Sequence, residues 1–321
     1  MDIIKGFSVA ANSCGAILSY FLSSLAETRE TTLTKLYPSG QSMRRKSCPD
    51  EFQCLLCDSN TCFITKTGLQ GVTSDLRPWP RSGVFAVCSD CGHVQKLLNQ
   101  DWIDDVERIY SSYEMYTVSG GQEQRLFDCG LPLPRSMKLL ENLVRAVELP
   151  DEGRLLDFGC GNGAFLKSFS QFLSGWRLSG FDINARFADA LSEIEGFEGL
   201  YTDSLEQIAE CFDLVTMAYV IEHLDEPKKI LERLNKLIKP EGVLFVQTSS
   251  FEENPFDLMV VDHCSHFSLP TISFLASRAG FSVVSDTRGW VSKELGVICV
   301  PNSNGNFLSP SPDFITNQQL Q

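Results

Sequence analysis

The chain has 321 residues, 43% hydrophobic and 21% charged, enough to bury a core in one or two domains and too apolar for a disordered or low-complexity chain. Its 27 Lys/Arg against 41 Asp/Glu leave a net charge of −14, which argues against a surface built to coat nucleic-acid phosphates. The imbalance is uneven: residues 1–47 carry six basic and three acidic side chains, hence +3, and the remainder carries −17.

From Gly6 to Ala26 no residue is charged. Ile4, Phe7, Ala11, Cys14, Leu18, Phe21 and Leu25 recur at alternating spacings of three and four, which is one face of a helix. Seven polar or glycine positions dilute the stretch as a membrane span, so a packing helix is the favoured reading and targeting or membrane contact through residues 6–26 the alternative. Residues 27–47, Thr/Ser-rich and ending in Arg44-Arg45-Lys46, read as a solvated linker that completes an N-terminal segment of residues 1–47.

Twelve cysteines follow an uneven plan. Six fall between Cys48 and Cys91 and the others stand singly, the usage of a reduced, cytoplasmic protein with one local metal site rather than of a secreted disulfide scaffold. Cys54-Leu-Leu-Cys57 and Cys88-Ser-Asp-Cys91 are two CxxC pairs thirty residues apart. Each pair predicts a tight knuckle, and two knuckles supply the four thiolates that Zn²⁺ takes in a closed, structural site. Residues 61–65 and 84–87 read as strands between them. Cys48 and Cys62 lie close enough to be alternative ligands but belong to no CxxC pair, and His93 is a possible substitute ligand; all three are left out of the ligand set. The expected unit is a small zinc-ribbon module over residues 48–100. Redox-active or merely buried cysteines are the alternative.

Residues 101–147 predict a helical connector, with Trp102, Ile103, Val106, Ile109 and Tyr110 on one helix and Met137, Leu139, Leu140, Leu143, Val144 and Val147 on another. The tyrosines at 110, 113 and 116 read as core residues or as a wall of a substrate pocket.

Residues 148–300 predict an α/β domain with a doubly wound parallel sheet. Arg154–Phe158 is a short apolar strand, Gly159-Cys160-Gly161-Asn162-Gly163 follows at once, and residues 164–169 begin a helix. Strand, glycine turn and helix form an anion- and nucleotide-binding opening, because glycines let backbone N–H groups approach a ligand closely. Asp182, 21 residues after Gly161, ends the next strand, where a carboxylate can grip both hydroxyls of a ribose. Gly159, Gly161 and Ala164 also satisfy the dinucleotide form G-x-G-x-x-A, so this opening alone is ambiguous. Asp157 and the third glycine, Gly163, turn the motif into Asp-x-Gly-x-Gly-x-Gly, which resembles motif I of the class I S-adenosylmethionine-dependent methyltransferases. The strands and helices predicted from residue 199 to residue 300 resemble that family's Rossmann-like seven-stranded sheet in order, including a closing antiparallel pair.

The resemblance implies S-adenosylmethionine as methyl donor, bound by Asp157, Gly159, Gly161, Gly163, Asp182 and Asp203, the last beside the adenine. It places Tyr219, Glu222 and His223, after strand four, where methyl group and acceptor meet. His223 is a candidate general base, and Glu222 and Tyr219 are candidates to assist or replace it; shaping the pocket is the bland alternative. With the Cys₄ module ahead of it, and a Tyr-rich connector, the chain resembles the zinc-containing sugar C-methyltransferases. The implied acceptor is a small polar metabolite, a sugar or nucleotide sugar methylated on carbon or hydroxyl, with no nucleic acid as partner. One departure stands against it: that family continues into a long C-terminal domain, whereas this chain ends in a polar tail over residues 301–321. A zinc-ribbon ribosomal-RNA methyltransferase and a non-catalytic S-adenosylmethionine-binding protein are the competing readings. The loop Asp262-His263-Cys264-Ser265-His266-Phe267 is expected as an acceptor-facing wall or lid rather than a second metal site.

Overall fold

The computed structural model describes residues 52–66, 68–113, 122–128 and 131–302. The apolar stretch 6–26, the linker to residue 47 and the tail from residue 303 lie outside the described residues. No helix among the described residues is long and apolar enough to cross a membrane.

The N-terminal part runs β1 (Cys62–Lys66), β2 (Gly71–Val72), β3 (Pro78–Trp79), β4 (Val84–Cys88), β5 (Val94–Lys96) and helix α1 (Gln100–Tyr110). A hairpin of β6 (Arg125–Asp128) and β7 (Leu131–Pro134) leads into α2 (Arg135–Ala146). The rest is β8 (Arg154–Phe158), α3 (Ala164–Phe172), β9 (Arg177–Phe181), α4 (Ala188–Ser192), β10 (Phe197–Tyr201), β11 (Phe212–Ala218), α5 (Pro227–Leu237), β12 (Ile238–Ser249), β13 (Ser265–His266), α6 (Leu269–Arg278), β14 (Phe281–Asp286) and β15 (Glu294–Pro301).

Seven strands form the main sheet in the order β10-β9-β8-β11-β12-β15-β14. The first five run parallel and β15 is antiparallel to both neighbours. This is the doubly wound sheet with a closing antiparallel hairpin that the sequence predicts. Its order reverses between β8 and β11, and the carboxyl ends of those two strands are where such sheets bind ligands. The central strands carry the continuous apolar runs of a sheet covered on both faces: Leu155, Leu156, Leu214, Val215, Leu244 and Phe245 are buried. Leu139, Leu140 and Leu143 of α2 and Phe165, Leu166 and Phe169 of α3 fill one side of it.

Three features depart from the sequence expectation. The connector is not helical throughout, since the β6–β7 hairpin separates α1 from α2; Pro132 and Pro134 cannot donate helical hydrogen bonds. The fifth strand of the sheet starts at Ile238, directly after α5, rather than at Val243. Its pairing jumps from Phe212↔Ile238 to Leu214↔Val243, so Pro240 and Gly242 fall where the ladder is interrupted. Most consequential is β13, which joins a second sheet ordered β1-β4-β5-β13, so the cysteine-bearing module and the loop after β12 share one sheet.

Candidate active site

The glycine loop leaves β8 in left-handed backbone, with φ of +81° at Gly159, +51° at Gly161 and +78° at Gly163. A side chain at Gly159 would place Cβ 2.2 Å from Val220 Cγ2, so the turn after β11 is packed directly against the loop. Asp182 Oδ2 accepts from Gly161 N–H at 2.9 Å and its Oδ1 from Asn184 N–H at 3.2 Å. Each oxygen keeps a further lone pair, as a ribose grip needs. Ile183, next in sequence, is 76% exposed and offers an apolar face beside that carboxylate. Asp157 lies buried under the loop, where Thr216 Oγ1 donates to it at 2.7 Å; burial pushes its pKa up to about 7. Asp203 is exposed, two residues past β10. Five of the six predicted donor residues thus gather at the carboxyl ends of β8 and β9, and Asp203 follows the neighbouring strand.

Glu222 and His223 occupy a short 3₁₀ turn, Ile221–His223, just past β11. The turn is tied to the loop after β12 by Cys264 N–H donating to the Glu222 carbonyl at 2.8 Å. His223 Nδ1 lies 3.0 Å from the Asp262 carbonyl oxygen and 3.0 Å from the Tyr110 hydroxyl. Burial, together with the neighbouring His263, lowers the His223 pKa to about 4 and holds its imidazole neutral. Burial raises Glu222 to about 7, and its Oε2 makes no well-formed hydrogen bond.

All four histidines of the chain converge here. Asp257, buried, takes His263 Nδ1 at 2.8 Å, His266 Nδ1 at 2.6 Å and the Ser249 hydroxyl. Burial disfavours its charge, but the two imidazoles outweigh that and hold it well below the usual carboxylate range. Burial likewise opposes a proton on His263, yet Asp257 carries its pKa up to about 9. Burial lowers His266 to about 4 and His93, whose Nε2 lies 3.2 Å from Ser265 Oγ, to about 3. The His223 and His263 rings meet edge to face at 4.6 Å.

Tyr219 turns elsewhere. Its backbone is left-handed, at φ +59°, and its hydroxyl bonds to Glu294. Arg135 stacks over its ring at 3.8 Å, and Glu294 also accepts from Gln247 Nε2 at 3.1 Å. The three predicted acceptor-side residues therefore divide: Glu222 and His223 face the histidine cluster and Tyr219 a separate ionic network. Sequence reasoning left Tyr110 open between core and pocket wall, and missed Asp257 as a member of the cluster. The signal for His263 was the Asp262-His263-x-x-His266 spacing itself; nothing in the sequence pairs Asp257 with it.

In the N-terminal module, Cys54 Sγ lies 3.5 Å from Cys91 Sγ and Cys57 Sγ 3.5 Å from Cys88 Sγ, and all four sulfurs sit within 4.8 Å of one another. The knuckles form as expected: Asp58 N–H returns to Cys54 O at 3.0 Å and Gly92 N–H, at φ +73°, to Cys88 O at 3.0 Å. Cys62 and His93 stand outside this set of four. The module also carries the loop after β12. Trp102 Nε1 donates to Val261 O at 2.9 Å, Lys96 N–H to Cys264 O at 2.8 Å, and Ser74 N–H to Asp262 Oδ1 at 2.8 Å. Lys96, fully buried and lowered by that burial to about 7, donates its Nζ to Leu258 O at 2.8 Å.

Residues 134–286 match the family model described as a methyltransferase domain. The C-methyltransferase NovU of Streptomyces niveus is 29% identical over 168 residues, which cover 49% of this chain and 39% of that protein. A ubiquinone biosynthesis O-methyltransferase of Actinobacillus pleuropneumoniae serotype 7 is 27% identical over 120 residues, 34% of this chain and 50% of that one. The chain thus spans half or less of the length of these curated relatives. Among solved structures, the mitomycin 7-O-methyltransferase MmcR aligns with a TM-score of 0.48 at 16% identity, over 62% of this chain and 60% of that one.

Proposed function

We propose, from the match of residues 134–286 to the methyltransferase-domain model and from the glycine-loop geometry, that this protein is a class I methyltransferase that moves a methyl group from S-adenosylmethionine to a small polar acceptor, a sugar or nucleotide sugar. The observation that carries the reading is the packing of Val220 on Gly159, which sets the donor loop and the Glu222–His223 turn side by side at one edge of the sheet. The donor supplies an electrophilic methyl on a sulfonium. The chain's own work is to hold donor and acceptor in line, exclude water and handle one proton. The glycine loop and Asp182 would grip the donor. His223, with Nδ1 held by Asp262 and Tyr110, keeps Nε2 for a proton from an acceptor hydroxyl or from carbon beside a carbonyl. The relatives act on carbon in one case and on a hydroxyl in the other by their names, and both remain acceptors to test here.

The four cysteines fit zinc: a compact, all-thiolate set with no open position, suited to structure rather than catalysis. Bound there, the ion would cross-link the two knuckles of the module.

The deciding experiment incubates the protein with methyl-labelled donor and a panel of keto and reduced nucleotide sugars and locates the methyl by mass spectrometry. Label in a sugar carbon or hydroxyl is the expected result; label in none of the panel removes the sugar reading. Donor recognition is tested separately. Asp182→Ala should weaken S-adenosylmethionine binding by calorimetry by about 1.5–3 kcal/mol, roughly tenfold or more, because two charge-assisted hydrogen bonds are lost. Unchanged affinity, or tight NADH binding by the unaltered protein, would return the dinucleotide alternative.

A further inference from the structure

We propose that Glu222, His223 and His263 form a binding site for one divalent first-row transition-metal ion, distinct from the four cysteines and placed at the acceptor edge of the sheet. One carboxylate oxygen and one ring nitrogen from each histidine lie within 4.8 Å of one another. An ion with bonds of about 2.0–2.2 Å holds its ligand atoms roughly 3–4 Å apart, so closure needs side-chain shifts on the order of 1 Å.

Two observations point to an ion rather than to chance proximity. Glu222 is 2% exposed, and its Oε2 makes no well-formed hydrogen bond, the buried Thr248 hydroxyl beside it being likewise unsatisfied, although a buried carboxylate oxygen in that state is costly. Both imidazoles are oriented through Nδ1, His263 by Asp257 at 2.8 Å and His223 by the Asp262 carbonyl at 3.0 Å, which leaves Nε2 of each for a ligand. A metal-bound histidine characteristically gives its second nitrogen to a carboxylate or carbonyl in this way. Asp257 and Glu222 favour a proton on His263, so an ion that binds through His263 Nε2 displaces that proton and takes over its charge beside Glu222.

Two imidazoles and one carboxylate form a set that suits Mn²⁺, Fe²⁺, Co²⁺ or Zn²⁺ and leaves coordination positions open. The elements that converge on it come from distant parts of the chain: the turn after β11, the loop after β12, and α1 through Tyr110. The open positions favour an acceptor that presents a hydroxyl or keto oxygen beside the methylated atom. In this respect the inference deepens the reading above and rests on it: the acceptor stays at the same edge, and with His223 Nε2 on the ion, the ion would acidify the acceptor's hydroxyl or the carbon beside its keto oxygen, so that the proton passes to solvent water before the methyl arrives.

The test uses the full chain carrying one zinc per molecule, so that the cysteines are filled. Mn²⁺ is titrated in without donor or acceptor and followed by electron paramagnetic resonance, with Co²⁺ absorption in parallel. The expected result is one Mn²⁺ per chain and a weak visible cobalt spectrum that lacks the near-ultraviolet thiolate band. Glu222→Gln and His263→Gln should each weaken binding at least tenfold, and Asp257→Asn by about 10–100-fold through loss of the orientation of His263. Circular dichroism and donor binding report whether the variants fold. The unaltered protein decides the matter if they do not: no second ion, or cobalt seen only with a thiolate band, overturns the proposal. So does equal Mn²⁺ binding by folded Glu222→Gln and His263→Gln. Mn²⁺ binding without methyl transfer to any of the panel would instead remove the sugar reading and leave the ion site standing.

Discussion

Removing metal from the four cysteines, by a chelator or by Cys88→Ser, is expected to unfold residues 52–97 locally and to lower methyl transfer about 100-fold while donor affinity changes by less than a few-fold. Four thiolates that close a small module contribute folding free energy outright, about 10–16 kcal/mol of apparent binding energy in zinc-finger peptides. The module's buried residues Phe52, Cys54, Leu56, Ala86 and Cys88 share one apolar cluster with Phe158, Ile221 and Phe267 of the main domain, so loosening the cross-link also disturbs the packing beneath the acceptor edge. The consequence reaches the acceptor edge because β13 pairs with β5, and Trp102 and Lys96 hold the Val261 and Cys264 carbonyls. A displacement of about 1 Å in a reacting group can cost on the order of 100-fold in rate. The glycine loop and Asp182 are held by the main sheet, Gly159 N–H by Phe181 O and Gly161 N–H by Asp182, so the donor should still bind. Limited proteolysis, elemental analysis and calorimetry with S-adenosylmethionine check each part. Metal-free protein with a protease-resistant module and full activity would refute the structural role.

His223→Asn is expected to lower kcat by about 10²–10⁴-fold with donor affinity nearly unchanged, the loss typical of a positioned group that handles a proton or its carrier in the transition state. Tyr219→Phe should cost far less, under tenfold, although the two residues are four apart. The Tyr219 hydroxyl is bound to Glu294 and its ring lies under Arg135, whereas His223 faces Tyr110, Asp262 and His263. Asp182→Ala should show the opposite pattern, raising the donor KM with a smaller change in kcat. Steady-state kinetics on the identified acceptor separates the three. A His223→Asn variant with the wild-type kcat, beside a crippled Tyr219→Phe, would move the chemistry to the Glu294 network.

What the sequence determined by itself was local and periodic. The run Arg154–Phe158, the three glycines, and Asp182 at 21 residues' distance specify strand, turn and carboxylate, because left-handed backbone at Gly159, Gly161 and Gly163 is readily reached only without a side chain. Apolar spacing likewise announced α2, α5 and the closing pair β14–β15. The two CxxC pairs announced four converging sulfurs, since each knuckle is closed by hydrogen bonds within a few residues. Only the tertiary structure decided how the acceptor edge is built. His93 and Ser265 are 172 residues apart, His223 and Tyr110 are 113 apart, and Ser74 and Asp262 are 188 apart, distances over which no periodicity carries information. A two-residue strand such as β13 has no pattern to read, yet its pairing with β5 is what makes the cysteine module part of the site. The same holds for Tyr219 and His223: four residues apart in sequence, they are sent to different partners by the left-handed turn at Tyr219 and by which buried carboxylate or carbonyl each side chain meets after folding.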